Sequence, residues 1–181
     1  MKGTVFTEFL EMVEDKFSMD MADRIIEASD LPSGGVYTAI GTYDHQEMLQ
    51  LVTHLSQETG IAVPELVQTF GHYLFGRFVT IYPHFFVGIS SAFDFLQRIE
   101  NYIHVEVRKL YPDAQLPGFE YDTSEPGRLV MTYRSTRPFA DLAEGLVRGC
   151  IQHFGEKIQL RREDLANGQG TAARFWLTKE E

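Results

Sequence analysis

The first half of the chain repeats apolar residues at the spacing of amphipathic α-helices, with polar and acidic residues between them. Ser18 is a typical N-terminal cap, and Asp44 followed by Glu47 forms the pattern of a capping box. Gly60 is a residue type that commonly ends a helix. Together these signals predict four helices, over residues 4–17, 19–29, Asp44 to Gly60, and Pro64 to about Thr80.

A fifth and longer helix is predicted in the middle of the chain. Ser91, with Asp94 three positions later, marks its start, and Pro112 stops it after Tyr111. One side of this helix is apolar. His104 lies beside that apolar side, next to Ile103.

After Pro112 the pattern changes to short strands and one further helix. The predicted strands are residues 119–123, 128–135, 157–161 and 173–178, with a helix over 139–154 and a turn over 166–170. The class is therefore α+β, a helical N-terminal part followed by a four-stranded antiparallel sheet with one packed helix. We expect a single domain of 181 residues, helical over about 1–112 and sheet-containing over about 113–181.

Composition and charge exclude several classes of partner. The formal net charge is −10, which disfavours binding to nucleic acid and to anionic membrane surfaces. No apolar run approaches the roughly 20 residues that span a bilayer, and the acidic N-terminal helix is not typical of a signal peptide. A single cysteine, Cys150, suits a reducing cytoplasm, where we expect the protein to reside.

The candidate chemistry is a row of polar residues at the end of the second predicted strand and directly after it. Tyr133, Ser135 and Arg137 stand two apart, so an extended strand would point all three to one side. A guanidinium with two hydroxyls suits a ligand that carries carboxylates. The alternative is an ordinary polar strand face. His104, 29 residues before Tyr133, is likewise open to a plain interpretation as a half-buried histidine bonded to water, to Glu100 or to Arg108.

The Y-x-S-x-R motif, the helical His104 at this distance before it, the opening Met1-Lys2-Gly3 and Pro117 resemble the haem-nitric-oxide/oxygen-binding (H-NOX) family over essentially the whole chain. The resemblance implies the H-NOX fold and a haem b cofactor, iron protoporphyrin IX. It makes His104 the proximal ligand of the iron, and it places the motif residues Tyr133, Ser135 and Arg137 on the haem propionates.

By the same resemblance Pro117 presses on the haem and bends it, although an ordinary loop proline is the alternative. In some relatives an acid near the start of the third helix pairs with the motif arginine. Here His45 stands at that position with Asp44 beside it, so the partner of Arg137 is left open.

The resemblance also implies a distal gas pocket whose six residues are all apolar and are equally compatible with plain core: Val5, Phe9, Leu74, Phe78, Leu142 and Leu146. Oxygen-binding members place a tyrosine near Leu142 and an asparagine or similar residue near Leu74. A pocket without a hydrogen-bond donor disfavours oxygen by about 1–3 kcal/mol.

The function that the resemblance implies is nitric oxide sensing, with carbon monoxide as a further ligand. Nitric oxide binding would break the iron–histidine bond and shift the helix that carries His104. The effector in trans would be a histidine kinase or a cyclic-di-GMP synthase or phosphodiesterase. No catalytic set is visible, so we do not expect an enzyme. An oxygen or carbon monoxide sensor or carrier on the same fold, and a haem-free protein-interaction module, are the alternatives.

Overall fold

The computed structural model describes residues 1–165 and 168–180, which form two compact units, residues 1–70 and 71–181. Two residues of the predicted turn over 166–170, Ala166 and Asn167, lie outside the described residues. The expected division of one domain near residue 112 was based on element type, and it stays a prediction.

The first unit is helical, and its second and third helices begin directly after the predicted caps Ser18 and Asp44. It contains α1 (Gly3–Lys16), α2 (Met19–Ala28), α3 (His45–Thr59) and the start of α4 (Val63–Ile81). Ser18 Oγ accepts a hydrogen bond from Met21 N at 3.1 Å, and Asp44 Oδ1 accepts one from Gln46 N at 3.0 Å. Gly60, at φ 71°, ends α3 in the left-handed conformation that glycine adopts without strain. Fully buried apolar side chains form the core of this unit: Phe6, Phe9, Met12, Val13, Ile25, Leu51 and Leu55.

The predicted long helix over residues 91–111 is interrupted in the structure. A 3₁₀ turn (Pro83–Phe86) precedes α5 (Ala92–Gln97), and a π-helical turn (Ile99–Ile103) separates α5 from α6 (His104–Leu110). The backbone N–H of His104 bonds to the carbonyl of Ile99, five residues earlier. Apolar periodicity cannot distinguish such a widened turn from continuous α-helix, because the helical face is nearly preserved.

The sheet is antiparallel, as the strand pattern predicted. Its strands are β1 (Gly118–Asp122), β2 (Arg128–Arg134), β3 (Ile158–Asp164) and β4 (Ala172–Lys179), in the order β1-β2-β4-β3. The last helix, α7 (Ala140–Phe154), packs on this sheet. The shared core consists of alternate strand residues and one face of α7: Leu129, Met131, Tyr133, Ala173, Phe175, Leu177, Ala140, Ala143, Val147 and Cys150.

Two ties fix α7 relative to its neighbours in the second unit. A Cβ on Gly71 would lie 2.3 Å from the carbonyl oxygen of Leu142, so α4 and α7 approach each other at backbone distance there. Arg162 on β3 holds the start of α7 through Asp141 at 2.6 Å and Glu144 at 3.2 Å. Within the described residues, no helix has both the length and the apolar content that crossing a bilayer requires.

Candidate functional site

His104 is buried at the first position of α6, directly after the π-helical turn. The residue is 8% exposed, and the centroid of its ring lies 6.0 Å from that of Phe119 on β1. Burial lowers the pKa of His104 below its ordinary value, and the nearby Glu100 carboxylate only partly opposes this effect. The neutral imidazole, which is the form that binds a metal, is therefore favoured at this position.

The carboxylate of Glu100 determines which nitrogen of His104 is available. Its Oε2 lies 3.2 Å from Nδ1 of His104 and accepts the backbone N–H of Phe119 at 3.3 Å. Its Oε1 accepts from Nη2 of Arg108 at 3.3 Å. With Nδ1 held in this way, Nε2 is the nitrogen left to bind a metal. The i,i+4 spacing had suggested Glu100 only as an ordinary partner, and its bond to β1 depends on tertiary structure.

The motif residues Tyr133, Ser135 and Arg137 are brought together, but not as a row along a strand. Strand β2 ends at Arg134, so only Tyr133 lies within it. Ser135 and Arg137 lie in the bend that follows, where Ser135 Oγ accepts the backbone N–H of Arg137 at 3.0 Å. Burial raises the pKa of Tyr133, while contacts with Ser135, the Phe139 backbone and Arg137 counteract it. The bend clusters a phenol, a hydroxyl and a guanidinium at one end of β2.

The structure identifies a partner for Arg137 that the sequence did not suggest. Its Nη2 donates to Oε1 of Gln115 at 2.9 Å. Asp44, the acid considered from the sequence, caps α3 and lies 3.1 Å from Nδ1 of His45. Gln115 lies in the connection between α6 and β1, where a single polar residue carries no recognisable pattern.

Pro117 is half-buried and directly precedes β1. It lies in the same connection as Gln115, between the helix that carries His104 and the strand that carries Phe119. The structure thus puts Pro117 next to the elements that hold His104. Its action on a haem stays a prediction.

The six predicted distal residues are distributed over both units. Val5 and Phe9 lie on α1 in the first unit, where Phe9 is fully buried and contacts Phe70 with ring centroids 5.2 Å apart. The other four lie in the second unit on α4 and α7: Leu74, Phe78, Leu142 and Leu146. Leu74 is 2% exposed, and the other three are half-buried. Their role as a gas pocket stays a prediction.

The residues of the second unit have the chemistry that a haem requires. His104 offers a neutral imidazole nitrogen at a buried position, as a proximal ligand does. The hydroxyl groups of Tyr133 and Ser135 and the guanidinium of Arg137 are donors suited to carboxylates. Among the residues that the structure describes, no group of three or more His, Cys, Asp or Glu is placed to form a separate metal site.

Comparisons with known proteins agree with this chemistry. A family model described as Haem-NO-binding matches residues 2–162. The unliganded Fe(II) H-NOX protein from K. algicida is 41% identical, with a TM-score of 0.93 over 100% of this chain and 97% of that chain. The H-NOX from Shewanella woodyi, solved with IWP-051 bound in the Fe(II)CO state, is 40% identical, with a TM-score of 0.85 over 99% and 95% of the two chains.

A more distant structure shares the fold. The H-NOX protein from S. oneidensis in the Fe(II)NO state is 24% identical, with a TM-score of 0.92 over 100% of both chains. A search of curated proteins gave no match.

Proposed function

Because this chain belongs to the haem-NO-binding (H-NOX) family of gas-sensing haem domains, we propose that it is a nitric oxide sensor that holds haem b through His104. H-NOX domains are sensor domains rather than enzymes. The observation that carries the proposal is the buried imidazole of His104, whose Nδ1 is held by Glu100 so that Nε2 remains for iron.

The residues of the β2 bend support the binding of a propionate-bearing cofactor. Tyr133 and Ser135 offer hydroxyl donors, and Arg137 offers the fork of donors that matches a carboxylate. Each such charge-assisted bond contributes about 1.5–3 kcal/mol when it is desolvated. The single cysteine, Cys150, is buried in the core against the sheet, and covalent haem attachment through C-x-x-C-H uses two cysteines, so we propose non-covalent haem b.

Selectivity for nitric oxide follows from the apolar character of the proposed distal residues. Bound oxygen gains from a hydrogen-bond donor, whereas nitric oxide and carbon monoxide need less help. Leucine at positions 74 and 142 offers no donor, which costs oxygen about 1–3 kcal/mol. Carbon monoxide is proposed as a second ligand, since the S. woodyi relative was solved in its Fe(II)CO state.

Signalling would proceed through the helical run that contains His104. When bound, ferrous haem supplies the iron that nitric oxide binds. His104 would hold that iron, and its release would leave the run Ala92–Leu110 free to take a second position. A ligand that binds two states with different affinity shifts their populations, and a partner enzyme detects that shift. By family resemblance the partner is a histidine kinase or a cyclic-di-GMP synthase or phosphodiesterase.

The direct test is His104→Gly, purified without imidazole and compared with wild type by absorption spectroscopy of the ferrous protein. We expect the variant to lose the wild-type ferrous spectrum and to recover it when imidazole is added. His84→Gly, at an exposed histidine of the 3₁₀ turn, is the matched control and should keep the wild-type spectrum. An unchanged spectrum and nitric oxide response in His104→Gly would contradict the proposal.

Gas selectivity is tested by exposing the wild-type ferrous protein to air. We expect no stable oxygen complex, but a five-coordinate spectrum with nitric oxide. A stable oxygen spectrum would favour the oxygen sensor or carrier instead.

A further inference from the structure

Glu100 connects three segments of the second unit through one carboxylate. Oε2 lies 3.2 Å from Nδ1 of His104 and 3.3 Å from the backbone nitrogen of Phe119, and Oε1 lies 3.3 Å from Nη2 of Arg108. The Glu100 side chain is 28% exposed, so water only partly screens these bonds. The proposed iron ligand, the helix that follows it and strand β1 thus share one acceptor.

The backbone around Glu100 is also unusual. Glu100 lies inside the π-helical turn Ile99–Ile103, which ends immediately before His104. In that turn both Tyr102 N and Ile103 N donate to the Arg98 carbonyl, at 2.9 and 3.1 Å. Such widened turns are rare, and they occur often at functional sites. Here the widened turn carries the residue that holds the imidazole.

We propose that Glu100 is the positioning residue for the proximal histidine, and that its carboxylate sets how strongly His104 holds the iron. The inference rests on the proposed function of His104. By accepting the Nδ1 proton, the carboxylate fixes the tautomer that presents Nε2 and increases the electron density of the imidazole. Loss of such a partner typically weakens metal binding by about 10- to 100-fold.

The same carboxylate couples the histidine to the sheet. Oε2 accepts hydrogen bonds from both Nδ1 of His104 and the backbone N–H of Phe119. One oxygen atom therefore links the imidazole to β1. If His104 leaves the iron, either its bond to Glu100 breaks or Glu100 moves with it and releases Phe119. Glu100 therefore sets how easily the iron–His104 bond breaks. It also determines whether the hydrogen bond to Phe119 of β1 is kept afterwards.

The test uses the haem-loaded protein with Glu100→Gln and Glu100→Leu. Glu106→Gln is the matched control, because Glu106 lies on α6, the helix that begins at His104, and its carboxylate pairs with Lys109 at 2.6 Å. The readout is the iron–histidine stretching frequency of the ferrous, gas-free protein by resonance Raman. We expect a lower frequency in Glu100→Gln, a still lower one in Glu100→Leu, and no change in the control.

A second readout, NMR of the diamagnetic ferrous carbon monoxide complex, follows the Nδ1–H proton of His104. We expect a protected signal in wild type and rapid exchange in Glu100→Leu, a difference that a purely structural role of Glu100 would not produce.

The outcomes separate this inference from the proposed function. If His104→Gly keeps the wild-type ferrous spectrum, the proposed function fails. If His104 proves to be the ligand while Glu100→Leu leaves the stretching frequency and the Nδ1–H signal unchanged, the inference about Glu100 alone is overturned.

Discussion

Two helical elements of the second unit differ in how they are held. Helix α7 is an unbroken helix of 15 residues with one face in the sheet core and an ion-pair network at its start. The run Ala92–Leu110 is divided by a π-helical turn, and it leaves large apolar side chains in solvent, including Leu110, which is 62% exposed. Core packing therefore holds α7 along one face, whereas the buried apolar residues of the interrupted run all lie in α5, at Ala92, Phe95 and Leu96.

This contrast has a physical basis, because the free energy of local unfolding differs from one element of a protein to another. An element with a buried face and backbone-distance packing opens only when much of the fold opens. An element with exposed apolar residues and a few polar ties opens at lower cost. A sensor needs both kinds, since a signal requires one part to move while another stays in place. Four substitutions test this contrast, each measured by denaturant unfolding and amide hydrogen exchange.

Arg162→Gln should have the largest effect, because it removes the cation from the anchor of α7. Arg162 lies within 2.6 Å of Asp141 and 3.2 Å of Glu144, and the Glu144 side chain is only 9% exposed. The remaining carboxylates would then repel one another in a partly buried site. We expect a loss of about 2–3 kcal/mol in the free energy of unfolding, with faster exchange in α7.

The matched control is Arg161→Gln on the same strand. Its guanidinium lies 4.2 Å from the Trp176 ring centroid at an exposed position, so the loss should be only about 0.5–1 kcal/mol. Equal losses in both variants would show that the network does not anchor α7.

Gly149→Ala tests the close packing of α7. A Cβ at this position would lie 2.7 Å from Cβ of Phe75 and 3.0 Å from the backbone oxygen of His72, and neither atom belongs to a flexible chain end. We expect the helices to separate, with a loss of about 1–2 kcal/mol. Gly76→Ala on α4 is the control, because its Cβ would meet nothing within 4 Å. It should be neutral or stabilising by about 0.5–1 kcal/mol.

The sequence could predict most of this architecture, since the caps Ser18, Asp44 and Gly60 and the alternating strands are local signals. It could not predict the π-helical turn, because a widened turn leaves the apolar stripe nearly intact. It also extended the second strand to Ser135, whereas that strand ends at Arg134, and it assumed that the backbone stays extended as far as Arg137. Period-two spacing does not reveal where pairing with neighbouring strands stops.

For the candidate site, the sequence supplied the residue types but not their partners. His104 and the motif were singled out because their types and spacing resemble those of the H-NOX family. The partner of Arg137, Gln115, lies 22 residues away, and the Glu100 bond to Phe119 N spans 19 residues. Such contacts depend on the fold that brings α6 against β1, and no local pattern encodes them.

Glu156→Gln tests the hydrogen bond that holds the start of the run Ala92–Leu110. Glu156 accepts the backbone N–H of Ala92 at 2.5 Å and Nζ of Lys179 at 2.7 Å. Burial opposes ionisation, but these two bonds outweigh it and keep the pKa of Glu156 below its ordinary value. Its stabilising effect is therefore fully present above the ordinary carboxyl pKa, and it is lost as pH falls through the lowered value.

We expect Glu156→Gln to cost about 1 kcal/mol at neutral pH and the difference from wild type to shrink below about pH 4. Exchange should increase at the start of α5 more than in α7. Glu163→Gln, at an exposed acid of β3, is the control and should leave exchange at the start of α5 unchanged. A constant difference across the pH range would assign the loss to packing rather than charge.

Tyr121→Phe should have the smallest effect and the opposite sign. The Tyr121 hydroxyl is buried on β1 without a hydrogen-bond partner among the described residues. Burial raises the pKa of Tyr121, and the nearby backbone of Glu100 only partly opposes this effect. Removing an unsatisfied buried hydroxyl removes its desolvation cost, so we expect a gain of up to about 1 kcal/mol.

The control for this last substitution is Tyr37→Phe. The Tyr37 hydroxyl donates to Glu47 at 2.9 Å, so its removal should lower the free energy of unfolding by about 1.5 kcal/mol. If Tyr121→Phe proves as costly as Tyr37→Phe, the hydroxyl has a partner in solution, and β1 holds the run more firmly than its contacts indicate. If Tyr121→Phe is more stable than wild type, the Tyr121 hydroxyl lacks a hydrogen-bond partner where β1 meets the run. That result would agree with the proposed signalling step, in which the run Ala92–Leu110 separates from β1.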